Sequence, residues 1–141
     1  MTGAQGRYGD PSAIQKLLNR GLARYEQHDY ERAIRYFSAA IALGPHEPDA
    51  YFHRANAYRH SNRLDAAIAD YGAAIRRDPS YASAYYHRAM ARKLLTDYAG
   101  AIDDLESYLE VCSGICEEDR AEVEQSLRDL RRMLRRGSNG P

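Results

Sequence analysis

The chain has 141 residues, and its 20 lysine and arginine residues are balanced by 20 aspartate and glutamate residues. This length is typical of one globular domain, and a formal net charge of zero excludes a whole-protein field that would attract nucleic acid or anionic lipid. No run of about 18 apolar residues occurs, and the N-terminus carries no apolar segment. We therefore expect neither a membrane span nor a signal peptide, and a cytoplasmic location.

The N-terminal segment is predicted to be a flexible tail over residues 1–10, because it is rich in glycine and poor in apolar side chains. Asp10 is a suitable cap for a helix that begins at Pro11, since proline lacks the N–H that would stay unpaired there. An apolar helical segment follows over residues 14–25.

The most informative feature of the chain is a repeat of 34 residues. It is visible in the columns Ala33/Ala67/Ala101, Ile34/Ile68/Ile102 and Phe37/Tyr71/Leu105. A period in this range is typical of stacked helical repeats, in which one unit cannot bury its apolar face without a neighbour. Because the apolar residues within a unit follow helical spacing, each unit is predicted to be two helices joined by a tight turn.

The six repeat helices are predicted at residues 11–27, 30–43, 47–60, 64–77, 81–94 and 98–111. Pro45 and Pro79 end the second helices of the first two units, since proline cannot continue a helix and biases the preceding residue away from it. The three repeats are predicted at residues 14–47, 48–81 and 82–115, within one domain that spans residues 11–136.

A seventh helix, which does not follow the repeat, is predicted at residues 117–136, and residues 137–141 are predicted to be a second flexible tail. Its apolar stripe consists of Val123, Leu127, Leu130 and Leu134. Acidic residues crowd its first half and arginines its second, which suits the helix dipole. We expect this helix to cap the apolar side of the third repeat. An alternative for its arginines is contact with RNA or phosphate.

The repeat positions resemble the tetratricopeptide repeat family, whose pattern runs W-x2-L-G-x2-Y, then A-x3-F, then P. The matching residues are Leu17, Gly21, Ala33, Phe37 and Pro45 in the first unit, Tyr51, Ala55, Tyr58, Ala67, Tyr71 and Pro79 in the second, and Tyr85, Ala89, Ala101 and Leu105 in the third. The resemblance implies an all-α fold, a right-handed α-solenoid of three helix-turn-helix repeats with a seventh capping helix. Arg20, Arg54 and Arg88 replace leucine of the pattern, and we expect their stems to lie along apolar surface with their heads in water.

The resemblance also implies a concave binding face, built mainly from the first helix of each repeat. On this chain the predicted peptide-binding groove consists of Leu18, Leu22, Tyr25, Asp49, Phe52, Asn56, Arg59, Tyr86, Met90 and Lys93. Apolar side chains there would contribute affinity, while polar ones such as Asn56, Arg59 and Lys93 would hold backbone or carboxylate groups. The open alternative is that the apolar residues simply pack between helices.

One subfamily binds the C-terminal EEVD tails of heat-shock chaperones through a clamp of lysine, asparagine and arginine side chains. The matching positions of this chain are Leu18, Leu22, His53, Ser83 and His87. We therefore predict no chaperone-tail carboxylate clamp, and a ligand of more apolar or mixed-charge character.

Cys112 and Cys116 lie four positions apart, a spacing that fits neither a zinc site nor a thioredoxin-type pair. They are predicted to be reduced thiols, with metal or redox chemistry as the alternative. His53 and His87 are predicted to be partly exposed histidines that hydrogen-bond, with a metal or pH-sensitive pair as the alternative.

The sequence contains no glycine-rich phosphate loop and no nucleophile with a recognisable base, so we predict no enzyme, no cofactor and no metal. The predicted function is that of a non-catalytic adaptor or scaffold, which binds a peptide or helix of a partner protein in its groove. The alternative is structural self-association into a homo-oligomer. Nucleic-acid contact through the C-terminal arginines is a lesser alternative, and no membrane partner is predicted.

Overall fold

The structure, a computed structural model, describes residues 9–138, which form seven helices and no strand. In chain order these are α1 (Pro11–Glu26), α2 (Tyr30–Leu43), α3 (Pro48–His60), α4 (Leu64–Arg77), α5 (Ala82–Leu94), α6 (Tyr98–Val111) and α7 (Glu117–Ser138). The all-α helical repeat class is confirmed, and each helix end lies within two residues of its predicted position. None of the described helices is long and apolar enough to cross a membrane.

The predicted tails fall mostly outside the described residues, at positions 1–8 and 139–141. Asp10 caps α1 as predicted, because its side chain accepts a hydrogen bond from the N–H of Ser12. At the other end, Gly137 and Ser138 belong to α7, so the helix continues two residues beyond its predicted end.

The chain forms two compact units, Met1–Pro79 with α1 to α4 and Ser80–Pro141 with α5 to α7. In the first unit, α1 packs against α2, α2 against α3, and α3 against α4. Ala33 and Ala67 have no exposed surface, and a Cβ at Gly21 would overlap the ring of Phe37. Small residues therefore recur at the crossings because helices approach to about 8–10 Å only where side chains are short.

In the second unit, α6 packs against both α5 and α7. Val123, Leu127 and Leu130 of α7 are buried in one cluster with residues of α5 and α6. The seventh helix thus covers the apolar side of α6. The predicted stripe is too long by one turn, because Leu134 lies beyond this contact and is 38% exposed.

Two of the three arginines that replace leucine of the family pattern form buried ion pairs. Arg54 donates to both carboxylate oxygens of Asp70, at 2.6 and 2.9 Å. Arg88 donates to Asp104 at 2.7 Å, and Arg92 donates to the same carboxylate at 2.9 Å. The expectation of solvated arginine heads is wrong in part, since a buried carboxylate binds each head while 21% of the Arg54 side chain and 18% of the Arg88 side chain stay exposed.

The structure joins Cys112 and Cys116 in a disulfide, with their Cα atoms 5.3 Å apart. The prediction of two reduced thiols is therefore wrong. Gly114 allows the turn between the cysteines, because its φ of 83° lies in the left-handed region that side chains with a Cβ rarely adopt. The chain reverses there between α6 and α7.

Candidate functional site

The predicted groove residues of the first unit lie on α1 and α3. Leu18 is 7% exposed and Phe52 is 8% exposed, so both pack into the unit, as the open alternative supposed. The side chains on this face that solvent can reach are the half-buried Leu22, Tyr25, Asn56 and Arg59 and the exposed Asp49. The accessible part of the face is therefore more polar than the sequence predicted.

A hydrogen-bonded network fixes the two polar groups of α3. The hydroxyl of Tyr71 on α4 donates to Oδ1 of Asn56 and accepts a bond from Nε of Arg59 at 3.1 Å. Tyr71 has no exposed surface, so the network is anchored in the core. Within the described residues, these bonds leave the amide hydrogens of Asn56 and the Nη1 hydrogens of Arg59 as donors for a ligand.

The protonation of Tyr71 links this network to pH. Burial raises its pKa to about 12 from 10.0, while the Arg59 guanidinium opposes this shift. At neutral pH the hydroxyl therefore keeps its proton and donates to Asn56.

We expect the difference in unfolding free energy between the unaltered chain and Tyr71→Phe to change above pH 10. Because the folded-state pKa of Tyr71 lies above its unfolded value, its contribution is complete below pH 10 and is lost as pH rises toward 12. The loss is about 3 kcal/mol in full and does not occur in the phenylalanine variant. Urea unfolding of both proteins from pH 8 upward measures it, and parallel pH profiles would contradict the buried-hydroxyl assignment.

Two histidines of the first unit pack against aromatic rings. His60 stacks on Tyr30 with ring centroids 5.7 Å apart and meets the edge of Tyr25 at 5.4 Å. His53 stacks on Phe37 at 5.7 Å. Burial lowers the pKa of both histidines, and Arg59 lowers that of His60 further. No group of three or more metal-ligating side chains occurs between residues 9 and 138.

The second unit carries the remaining predicted groove residues on α5. Tyr86 and Met90 are half-buried, and Lys93 is exposed. Beside Tyr86 lies a pocket of about 270 Å³, which the sequence analysis missed. Its lining consists of Ser83, Tyr86 and His87 of α5, Tyr108 of α6, and Asp119, Glu122 and Val123 of α7.

Ser83 and His87 occupy two of the positions at which the chaperone-binding subfamily has its carboxylate clamp. In this chain both line the pocket together with the carboxylates Asp119 and Glu122. The sequence did contain a signal for this pocket. Tyr108 replaces the alanine of its repeat column, and the two acids are three residues apart on one face of α7. What sequence alone could not supply is the placement of α7 on α6, which brings its acids to the same pocket as Ser83 and Tyr86 of α5.

These helix pairs, which recur every 34 residues, define a helical repeat protein. A profile described as Tetratricopeptide repeat matches residues 18–73, and a second, described as TPR repeat, matches residues 55–95. The chain belongs to the tetratricopeptide repeat family. No curated protein matches it significantly in sequence.

Solved structures of the family are similar over most of the chain. The first TPR of Spaghetti (RPAP3), bound to the HSP90 peptide SRMEEVD, is 26% identical with a TM-score of 0.82, and the match covers 92% of this chain and 98% of that one. The Sgt2 TPR domain from Aspergillus fumigatus is 25% identical with a TM-score of 0.80, covering 95% and 86%. SycD, the type III secretion translocator chaperone of Yersinia enterocolitica, is 17% identical with a TM-score of 0.84, covering 90% and 89%, and shows the shared fold alone.

Proposed function

We propose that this chain is a non-catalytic protein-interaction module that binds a peptide segment of a partner protein on the first helices of its repeats. The observation that carries the proposal is the network in which buried Tyr71 fixes Asn56 and Arg59. Donors that are fixed before binding lose little conformational entropy when a ligand arrives, so they suit the carbonyl and carboxylate groups of a peptide.

The similar structure of Spaghetti supports peptide binding, because that domain was solved with a peptide. In the first unit we propose Leu22 and Tyr25 as apolar contacts beside Asn56 and Arg59. In the second unit we propose Tyr86 and Met90 as contacts, with Lys93 at the end of α5.

We further propose that the ligand is not held by a clamp on its terminal carboxylate. Leu18 and Leu22 have no polar group to offer, and His53 packs against the ring of Phe37. In the second unit, Ser83 and His87 lie beside two carboxylates, which would repel an anionic terminus. The cytoplasmic location stays a prediction, and the Cys112–Cys116 disulfide is more typical of an oxidising compartment.

Selection from a displayed peptide library, followed by calorimetry with the selected peptide, tests the proposal. Arg59→Met should raise the dissociation constant at least about tenfold, since a hydrogen bond that involves a charged group is worth about 1.5–3 kcal/mol. Asn56→Ala should raise it by up to about tenfold, since a bond from a neutral amide is worth about 0.5–1.5 kcal/mol. Arg76→Met is the matched control, because Arg76 is an exposed arginine on α4 outside the network. Failure to select any peptide, or equal affinity of all four proteins, would contradict the proposal.

Self-association is the alternative that the same samples can test. Light scattering over a range of concentrations should show a monomer whose mass does not depend on concentration. A stable dimer that no longer binds the selected peptide would instead favour a structural role for the same face.

A further inference from the structure

We infer that the second unit holds a pocket for a lysine or arginine side chain of the bound partner peptide. The inference rests on the proposed function, because it names the chemistry of one residue of that peptide. The pocket is the cavity between α5, α6 and α7, at whose edge Ser83, Tyr86 and His87 lie.

Asp119 and Glu122 give this pocket negative charge, and its described lining contains no lysine or arginine, with His87 as its one basic residue. On α7, Arg120 pairs with Glu117 at 3.4 Å and with Glu124 at 3.6 Å. The two acids that line the pocket, Asp119 and Glu122, have no ion-pair partner among residues 9–138. A cation that enters the pocket would therefore meet two carboxylates whose charge is available.

The position of Asp119 is fixed by a buried neighbour. Tyr108 is 7% exposed, and its hydroxyl donates to Asp119 at 3.4 Å. Burial and the negative charge of Asp119 both raise the pKa of Tyr108, so this hydroxyl stays protonated and orients the carboxylate. Tyr108 thus orients one of the two pocket carboxylates before any ligand binds.

The remaining walls suit a long cationic side chain. The ring centroids of Tyr86 and Tyr108 lie 5.5 Å apart with their planes tilted by 54°, so the two rings pack together as one aromatic wall. The face that such a wall turns to the pocket attracts ammonium and guanidinium groups. Val123 adds an apolar wall against which an aliphatic stem can pack. At about 270 Å³ the cavity is smaller than the pockets of roughly 300–1,000 Å³ that hold drug-sized ligands, so its size fits a single side chain.

A titration with single amino-acid derivatives tests this inference without a selected peptide. The probe is Nα-acetyl-lysine methylamide, followed through amide chemical shifts of the ¹⁵N-labelled full chain. The control probe is the same compound with its Nε acetylated, which keeps the stem and removes the charge. We expect saturable shifts at Ser83, Tyr86, His87 and Glu122 with the charged probe only, and weaker binding at about 0.5 M salt than at about 0.05 M.

Matched charge variants locate the effect. Asp119→Asn combined with Glu122→Gln should raise the dissociation constant of the charged probe about tenfold. Glu110→Gln combined with Glu118→Gln removes the same two charges from exposed positions that do not line the pocket, and should leave binding unchanged. Circular dichroism confirms that both variants are folded.

Three results would overturn the inference: no saturable shifts in the unaltered chain, equal shifts with the acetylated probe, or equal binding by the two double variants. The peptide proposal fails separately, because it is tested on Asn56 and Arg59 of the first unit. A selected peptide could bind through Asn56 and Arg59 and yet lose no affinity when Asp119 and Glu122 are substituted. That result would overturn this inference and leave the proposed function standing.

Discussion

Replacing Asp104 by alanine should lower the free energy of unfolding by about 3–5 kcal/mol, the range for breaking a buried ion pair from one side. Asp104 is 2% exposed and accepts hydrogen bonds from Arg88 at 2.7 Å and from Arg92 at 2.9 Å. Without the carboxylate, two guanidinium groups of low exposure would lose their anionic partner while remaining largely out of water. Urea unfolding followed by circular dichroism measures the loss.

The adjacent residue provides the control for this prediction. Asp103 is also an aspartate of α6, but it is exposed, so Asp103→Ala should change stability by no more than about 0.5 kcal/mol. Asp70→Ala in the first unit should cost less than Asp104→Ala, because Asp70 is bound by the single arginine Arg54, which also donates to Ser38. Equal unfolding midpoints for Asp103→Ala and Asp104→Ala would show that the ion pairs contribute nothing to stability.

These ion pairs also show which tertiary contacts the 34-residue repeat could have predicted. Arg54 and Arg88 are 34 residues apart, and so are Asp70 and Asp104. Each aspartate follows its arginine by 16 residues, which is the separation of the paired side chains in the structure. Reading the arginine column alone predicted solvated heads. Reading both columns together would have predicted the pairs.

Local pattern was sufficient for the helices because caps, prolines and apolar spacing act within a few residues. Local sequence pattern was insufficient for features that depend on how the helices pack in three dimensions. The burial of Phe52 follows from its packing beside the rings of His53 and Tyr71, and the pocket beside Tyr86 follows from the position of α7. The Cys112–Cys116 disulfide likewise requires the reversal of the chain at Gly114, which spacing does not reveal.

The residues proposed for binding show the same limit of local sequence reasoning. Position within the repeat assigned Asn56 and Arg59 of α3 to the predicted groove, with a proposed role in binding. It gave no indication that Tyr71 of α4 would fix both, because Tyr71 fills an aromatic core column of the repeat. A core residue that also orients surface donors combines two functions, and substitution can separate them.

Tyr71→Ala should therefore be among the most damaging substitutions in the chain, at about 3–5 kcal/mol of unfolding free energy, the range for truncating a buried aromatic residue. The ring has no exposed surface, and its centroid lies 5.9 Å from that of Phe52, so its removal leaves a cavity between α3 and α4. Tyr71→Phe keeps the ring and removes the hydroxyl alone, which should cost about 0.5–1.5 kcal/mol. Urea unfolding near neutral pH measures both values.

The two variants should differ in another way when the selected peptide is added. Tyr71→Phe should remain folded yet bind the peptide more weakly, because Asn56 and Arg59 lose the group that fixes them. Calorimetry on Tyr71→Phe thus measures the contribution of the hydrogen-bonded network to peptide affinity, while the ring still fills the core. If Tyr71→Phe bound the peptide as tightly as the unaltered chain, the hydroxyl would be a stability element only. If Tyr71→Ala cost no more than Tyr71→Phe, the ring would not be filling the space between α3 and α4.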